Sequence, residues 1–290
     1  MPMQTPDQRP YAELIVVCGP PRSGTTWLNR ELCNAPTAFP FLPECTLITQ
    51  QIELYSRTLH YCDPQRFHAY FANQQNLLSY FRANVAKLVD QVANLNQKPG
   101  AQTLVLKDPL LCLYLEDTKD VLPPHKLVVL VRDPRDVLAS MKNVTAKKKQ
   151  KWNVREAARE LLNYYYGIEN HQRRADKDSI YLRYEDLVVG QRTILQNFLQ
   201  QKNEDAAFTH ADAPSVQERL DASDPFFSEL YLQPTTSEKI GSYTKILSWN
   251  EIYFIESAYS GVMQRWGYLN FNSMTRAKWF AKRWLRKLWR

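Results

Sequence analysis

Short runs of continuous apolar residues alternate with longer segments of helical periodicity along this chain. Four such runs do not alternate polar with apolar positions, namely Leu14–Cys18, Thr103–Leu106, Lys126–Val131 and Ile180–Arg183. Continuous apolar runs of this length are typical of parallel strands that are buried on both faces. The segments between them are long enough for crossover helices. The pattern therefore predicts an α/β fold with a central parallel sheet and helices on both faces.

Capping residues and prolines mark where the helices begin. An Asp followed by a Pro is a common arrangement at the first turn of a helix, and it begins three of the helices predicted here. The predicted helices begin at Thr25, Pro64, Pro109 and Pro134, and two more cover about Leu77–Leu95 and Val154–Arg173. A capping box from Ser248 to Glu251 predicts a last helix that continues to about Trp266.

Length and composition limit the class of protein. The 290 residues, 44% of them hydrophobic and 12% aromatic, are enough to build a core, which excludes a disordered or fibrous chain. We expect a single domain over residues 1–290. No apolar run approaches the roughly 18 residues of a transmembrane helix, and the first ten residues contain no secretion signal. A cytoplasmic protein is therefore expected.

The five cysteines include no C-x-x-C pair, so we expect reduced thiols that serve mainly as small core residues.

The net charge of +7 comes from the end of the chain. The last fifteen residues (RAKWFAKRWLRKLWR) contain seven Lys and Arg and no acid, which leaves 30 bases against 30 acids elsewhere. Residues 274–290 therefore predict a basic amphipathic tail, suited to peripheral contact with an anionic membrane surface. The alternative is that the apolar side of this tail packs on the domain. No nucleic-acid partner is expected, because the body of the chain lacks a basic excess.

The segment Leu14–Arg30 (LIVVCGPPRSGTTWLNR) places a glycine-bounded turn between the first strand and a helix. Such a unit directs free backbone N–H groups and the positive helix end at one point, which suits a phosphate. Thr25 stands where a P-loop nucleotidase has its lysine, and the cation is Arg22 instead. We therefore expect a phosphate site whose chemistry differs from ATP or GTP hydrolysis. The alternative is a tight turn without a ligand.

The segment Lys126–Met141 (KLVVLVRDPRDVLASM) carries a second candidate anion site. Arg132 lies at the carboxyl end of a predicted strand, and Ser140 lies between one and two turns into the next helix. Ligands of open α/β sheets bind beyond the carboxyl ends of the strands. A guanidinium and a hydroxyl at this place can hold an anion by charge-assisted hydrogen bonds. The alternative is that Arg132 pairs with Asp133 or Asp136 at the surface.

Together these two segments resemble the sulfotransferases that use 3′-phosphoadenosine 5′-phosphosulfate (PAPS). In that family a P-[KR]-S-G-T-T-[WL] loop binds the 5′-phosphosulfate, and a later Arg, with a Ser eight residues on, binds the 3′-phosphate. A tyrosine near the adenine is matched by Tyr184, and a weaker likeness covers Lys239–Tyr243. The resemblance implies a P-loop-like three-layer fold with a central parallel sheet flanked by helices. It also implies a PAPS site made of Arg22, Ser23, Gly24, Thr25, Thr26, Trp27, Arg132, Ser140 and Tyr184.

The chain is more similar to the family members with a glutamate base, which are protein-tyrosine, Golgi-type and bacterial enzymes, than to the cytosolic type with a histidine base. The region that holds the cytosolic histidine reads Leu106-Lys107-Asp108-Pro109 here. The glutamate about twenty residues after the phosphate loop is Glu44. The resemblance thus implies Glu44 as general base, with Asp108 in reserve, and Arg22 and Lys107 as catalytic electrophilic groups.

Ordinary structural roles are the alternatives for the two acids. Glu44 precedes a segment of helical pattern at Thr46–Leu59 and would complement the macrodipole of that helix. Asp108 would be a helix cap before Pro109.

The resemblance implies an acceptor with a hydroxyl, which is a carbohydrate, a lipid, a phenol or a peptide, and favours sugars or peptides over small phenols. The segments Leu47–Leu95 and Asn203–Tyr243 are expected to form the walls of its pocket. No metal is expected, because the donor carries its own leaving group and no cluster of ligands has metal-binding spacing.

Two other functions stay open. A P-loop-type kinase or nucleotidase would need Lys in place of Thr25 and an Asp-held Mg²⁺, and a non-catalytic nucleotide-binding module would bind PAPS without transfer.

Overall fold

The four predicted strands form one parallel sheet. The structure, a computed structural model, describes residues 9–61, 64–200 and 237–268, with the side chains of residue 61 and of residues 64–67 excepted. The strands are β1 (Glu13–Cys18), β2 (Thr103–Lys107), β3 (Lys126–Val131) and β4 (Ser179–Arg183). Their order in the sheet is β2-β1-β3-β4. Because β2 and β3 lie on opposite sides of β1, the chain changes direction there, and such a switch point opens a crevice at the carboxyl ends of the strands.

Helices cover both faces of this sheet, which confirms the predicted three-layer α/β fold. The first six are α1 (Thr25–Cys33), α2 (Thr46–Tyr61), α3 (Pro64–Phe71), α4 (Gln74–Leu95), α5 (Leu115–Val121) and α6 (Pro134–Lys147). The next six are α7 (Val154–Gln172), α8 (Tyr184–Val188), α9 (Thr193–Leu199), α10 (Tyr243–Ile246), α11 (Trp249–Ala258) and α12 (Ser260–Arg265). Short 3₁₀ helices cover Pro109–Leu113 and Ser237–Lys239.

The two faces of the sheet pack against different helices, because successive side chains of a strand point to opposite sides. On one face, Ile15 and Val17 of β1 pack in a cluster with Leu28 of α1 and Leu195 of α9. On the other face, Leu14, Val16 and Cys18 belong to the larger cluster, to which α2, α4, α5, α7, α11 and α12 contribute. Both faces of β1 are thus covered, which accounts for its continuous apolar sequence.

The helix predicted to begin at Pro109 is a 3₁₀ helix of five residues rather than an α-helix. Asp108 caps it as predicted, by accepting a hydrogen bond from the Leu110 N–H at 2.9 Å. Helix α7 presses against it, since a Cβ added at Gly167 would lie 1.9 Å from the Cys112 carbonyl oxygen. The Asp-Pro signal marks the start of either kind of helix, and the close packing of α7 accompanies the short, tight form.

The last predicted helix is interrupted. The capping box at Ser248 and Glu251 is present, but α11 ends at Ala258 and α12 begins at Ser260. Tyr259 stands at the break, fully buried, and its hydroxyl donates to the Ala158 carbonyl of α7. This side-chain anchor at the junction holds the chain to α7.

Several predictions fall outside the described residues, among them the basic tail at 274–290 and most of the loop region 203–243. Cys18 and Cys112 are buried free thiols, as predicted for core cysteines. Among the described residues, no helix is both long enough and apolar enough to span a membrane.

Candidate functional site

The loop between β1 and α1 turns tightly against the strands beside it. Gly24 has a φ of 99°, a left-handed value that glycine adopts without strain. A Cβ at Gly24 would lie 2.6 Å from the Tyr184 ring, and one at Gly19 would lie 2.2 Å from the Leu130 carbonyl oxygen. The two glycines therefore let the loop lie directly on the ends of β3 and β4.

This loop leaves hydrogen-bonding groups suited to an anion. Gly24 occupies the N-cap of α1 and supplies no side-chain cap to the first N–H groups of the helix. The Ser23 side chain is fully buried, and within the described part of the chain its hydroxyl has no hydrogen-bond partner. A buried hydroxyl without a partner costs free energy, so its presence at a helix N-terminus is consistent with a ligand oxygen at this point.

The two anion-binding segments predicted from the sequence meet in space. The Arg22 Nε donates to the Ser140 Oγ of α6 at 3.2 Å. The Arg132 Nη1 donates to the Arg22 carbonyl at 3.1 Å, and its Nη2 donates to the Lys239 carbonyl at 2.9 Å. Burial, followed by the nearby Arg132 charge, lowers the pKa of Arg22 to about 10. Two like charges held this close indicate a site built for a strongly anionic ligand.

Aromatic rings complete this side of the site. The Arg132 guanidinium lies 4.5 Å from the centre of the Tyr184 ring, within cation–π range. Tyr184 in turn meets Trp27 of α1 edge to face, with ring centres 5.9 Å apart. The fold therefore brings Trp27, Arg132 and Tyr184 together, although they are far apart in the sequence.

The surface pairing considered for Arg132 is not the observed arrangement. The Asp133 carboxylate pairs with Arg135 at 2.7 Å. Asp136 accepts hydrogen bonds from the backbone N–H groups of Gly241 and Tyr243, at 2.8 and 2.9 Å. Asp136 thus fastens residues 239–243 to the start of α6, which is how the Lys239 carbonyl comes to face Arg132.

Glu44 and Lys107 form the other side of the site. The Lys107 Nζ lies 2.7 Å from the Glu44 Oε1 and 3.1 Å from the Thr26 hydroxyl. The Lys107 side chain is 3% exposed, whereas that of Glu44 is 41% exposed. The Cys45 N–H donates to the Lys107 carbonyl at 2.9 Å, which ties the loop before α2 to the end of β2. The carboxylate is therefore partly open to solvent and linked through the lysine to the first turn of α1.

Asp108 is placed differently from Glu44. It is fully buried, and its two carboxylate oxygens accept from the Leu110 N–H at 2.9 Å and from the Thr49 hydroxyl at 2.8 Å. Burial raises the pKa of Asp108 above its ordinary value. Both oxygens are thus occupied by bonds that fix the chain at the end of β2, which is the capping role considered above.

Three residues that the sequence did not single out hold Arg132 in place, two of them directly and one through Glu185. The Tyr165 hydroxyl of α7 donates to the Arg132 carbonyl at 2.6 Å. The next N–H, that of Asp133, donates to the Glu185 carboxylate at 3.0 Å, and the Tyr268 hydroxyl donates to the same carboxylate at 2.8 Å. These residues lie on elements distant in sequence from Arg132, so no local pattern could have indicated them.

Comparison with solved structures finds the same fold. The sulfotransferase domain from the curacin biosynthetic pathway is 19% identical, covers 86% of this chain and 97% of its own, and has a TM-score of 0.53. The sulfotransferase domain from the Synechococcus PCC 7002 olefin synthase is also 19% identical, covers 89% of this chain and 98% of its own, and has a TM-score of 0.54. Comparison with curated protein sequences gives no significant match.

A family model described as "Sulfotransferase family" matches residues 14–207. That range is about two thirds of the chain. It includes β1 from its second residue, the other three strands, the loop between β1 and α1, and Glu44, Lys107, Arg132, Ser140 and Tyr184. Since one match spans most of the described sheet and both candidate anion-binding segments, this chain belongs to the sulfotransferase family.

Proposed function

We propose that this protein transfers a sulfuryl group from PAPS to the hydroxyl of an acceptor molecule, with Glu44 as general base. The observation that carries the proposal is the contact between two anion-binding segments far apart in sequence. The Arg22 guanidinium bonds to Ser140, and the Arg132 guanidinium bonds to the Arg22 carbonyl. A nucleotide with phosphates at both ends of its ribose has the chemistry to bridge two such cationic positions.

The resemblance to the family and the placement of each group support the following binding roles. The N-terminus of α1 and the residues Arg22, Ser23, Gly24, Thr25 and Thr26 hold the 5′-phosphosulfate. Arg132 and Ser140 hold the 3′-phosphate, and Trp27 and Tyr184 border the adenine. The partnerless Ser23 hydroxyl and the two converging guanidinium groups support this fit of the residues to PAPS.

The catalytic roles belong to the other side of the site. Glu44 accepts the hydroxyl proton of the acceptor while the bond from acceptor oxygen to sulfur forms and the bond from sulfur to the 5′-phosphate oxygen breaks. Lys107, held between Glu44 and Thr26, stabilises the charge that develops on the departing phosphate oxygen, and Arg22 stabilises the sulfuryl oxygens. A PAPS-dependent enzyme with a glutamate base is thus the activity that these residues support best.

The nucleotide site is tested with the Arg132→Ala variant. The 3′-phosphate loses its charge-assisted partner, so the dissociation constant of 3′-phosphoadenosine 5′-phosphate is expected to rise about 10- to 100-fold in calorimetric titration. AMP, which lacks the 3′-phosphate, is expected to bind the variant and the wild type equally. Ser140→Ala should give a smaller change of the same kind, and Arg174→Ala, at an exposed arginine, serves as control.

An unchanged dissociation constant in both site variants would reject this assignment of the 3′-phosphate. Transfer itself is measured with PAPS labelled in its sulfuryl group. Tight nucleotide binding without transfer to any hydroxyl acceptor would instead identify a non-catalytic binding module.

A further inference from the structure

The described part of the chain ends at a firmly held residue. Its last residue, Tyr268, is buried. The Tyr268 hydroxyl donates to the Glu185 carboxylate at 2.8 Å, and the Tyr268 carbonyl accepts a hydrogen bond from the Arg135 Nη2 at 3.0 Å. The segment that follows, residues 269–290, therefore begins at a fixed point beside the start of α6.

Helix α11 carries two exposed aromatic side chains on the side of the molecule where this point lies. Trp249 is 83% exposed and Tyr253 is 41% exposed, and residues four apart share one face of a helix. Glu256 lies on the same face, three residues after Tyr253, and its carboxylate lies 2.7 Å from the Arg135 Nη1. Arg135 thus joins this face of α11 to the Tyr268 carbonyl, at which the described chain ends.

The sequence of the last fifteen residues, 276–290, is typical of a helix that lies in a membrane surface. In a helix, six of its seven Lys and Arg would lie on one side, and Phe280, Trp284, Leu285 and Leu288 would lie on the other. The segment contains no acid, although the rest of the chain balances 30 bases against 30 acids. Packing against the domain would use the apolar side alone, whereas seven bases without an acid are attracted to an anionic surface.

We propose that residues 276–290, together with Trp249 and Tyr253, bind the surface of an anionic lipid membrane. Trp and Tyr rings favour the boundary between the lipid chains and water, and the bases are attracted to the anionic headgroups. Two elements held on the same side of one molecule bind a surface more tightly than either does alone. The apolar side of the segment favours a membrane over a nucleic acid, because contacts to phosphates need no apolar side.

The first test measures sedimentation of the full chain with lipid vesicles. One set consists of phosphatidylcholine alone, and the other contains phosphatidylserine as well. We expect the dissociation constant for lipid to be at least about 10-fold lower with phosphatidylserine, and to rise with added NaCl because salt screens the attraction. Equal binding to both sets, no binding to either, or tighter binding to a DNA duplex than to the anionic vesicles would overturn the proposal.

The second test changes the described aromatic face. Trp249→Ala is expected to raise the dissociation constant for anionic vesicles about 3- to 10-fold, with an unchanged melting temperature because the side chain is exposed. Tyr70→Ala, at an 84% exposed aromatic residue of α3, is the matched control. Equal vesicle binding by wild type and Trp249→Ala would contradict the proposal. A lower melting temperature of Trp249→Ala without vesicle binding by the wild type would instead show that the last residues pack on α11.

The third test changes the charge of the segment. The double variant Arg283→Gln, Arg286→Gln is expected to raise the dissociation constant for anionic vesicles about 10-fold or more. The double variant Arg173→Gln, Arg174→Gln removes the same charge at the exposed end of α7 and should bind vesicles like the wild type. Equal weakening in both double variants would mean that only the net charge matters, and would overturn the proposal. Binding of 3′-phosphoadenosine 5′-phosphate should be unchanged throughout, so the proposed function is tested separately.

Discussion

The Glu44 carboxylate and the Lys107 ammonium group each stabilise the charge of the other. The lysine ammonium is nearly inaccessible to water, and its hydrogen-bond partners are the Glu44 carboxylate and the Thr26 hydroxyl. A buried charge that loses its partner costs several kcal/mol, so removal of the Glu44 side chain would disturb Lys107 as well as the base. A substitution that removes the charge of Glu44 but keeps an oxygen atom for the Lys107 hydrogen bond separates the loss of the base from the disturbance of Lys107.

At this residue we predict that Glu44→Gln lowers kcat about 10²- to 10⁴-fold, because an amide cannot accept the hydroxyl proton but can still accept a hydrogen bond from Lys107. The affinity for 3′-phosphoadenosine 5′-phosphate should stay within about 2-fold of wild type. Labelled sulfuryl transfer and calorimetry measure the two quantities, with Glu116→Gln as the control at a partly exposed acid. Wild-type turnover in Glu44→Gln would make the base assignment wrong.

At the scale of elements, helices α7 and α8 fix the carboxyl end of β3. Tyr165 of α7 bonds to the Arg132 carbonyl, and Glu185 of α8 bonds to the following N–H. Both polar groups of the peptide bond between Arg132 and Asp133 are thereby held, and the Tyr184 ring lies 4.5 Å from the guanidinium. The direction of Arg132 is therefore set by three side chains from other elements.

We predict that Tyr165→Phe weakens binding of 3′-phosphoadenosine 5′-phosphate about 3- to 10-fold and leaves AMP binding unchanged. The hydroxyl is lost and the ring is kept, so the change reports the positioning of Arg132 rather than a cavity. Tyr166→Phe, at the exposed neighbour on α7, is the matched control. Equal weakening of both nucleotides, or a lower melting temperature with no change in binding, would indicate a purely structural role.

At the scale of the whole molecule, several side chains of α6 fasten residues 237–268 to this helix. Asp136 holds the backbone at Gly241 and Tyr243, next to Arg132. Farther along α6, the Lys142 Nζ lies 2.9 Å from the Glu251 carboxylate of α11, which also accepts from the Trp152 indole at 2.7 Å. Burial alone would raise the pKa of Glu251, but hydrogen bonds from Lys142, Ser248 and Trp152 lower it to about 2.

Because the pKa of Glu251 is lowered, we predict that the attachment of α11 to α6 weakens in acid. A lowered folded-state pKa contributes stability above the ordinary value near 4.5, and that contribution is lost as the pH falls from about 4.5 through about 2. Glu251→Gln should lower the free energy of unfolding at pH 7 by about 1–2 kcal/mol and flatten its dependence on pH in this window. Denaturant unfolding between pH 7 and pH 2 measures both. Parallel curves for wild type and variant would contradict the prediction, and Glu116→Gln should follow the wild type.

Local signals in the sequence were enough for the sheet and most helix starts. The strand β3 was predicted at its observed bounds, Lys126–Val131, because continuous burial on both faces leaves a continuous apolar run. The start of α1 at Thr25 and the tight turn before it were also predictable, since the glycines that such a turn requires lie within a few consecutive residues. The kind of helix after Asp108 was not predictable, because α and 3₁₀ helices share the same cap.

The sequence by itself thus determined the strands and the turn between β1 and α1, and it supplied the candidate residues for binding an anion. The tertiary structure decided which of them meet. The Arg22 and Ser140 side chains are separated by 118 positions, and Lys107 and Glu44 by 63, yet both pairs are in hydrogen-bond contact. The physical reason is that such contacts depend on the strand order β2-β1-β3-β4, which places distant carboxyl ends side by side. That order is fixed by the burial of whole faces of the sheet, a property that no short segment carries.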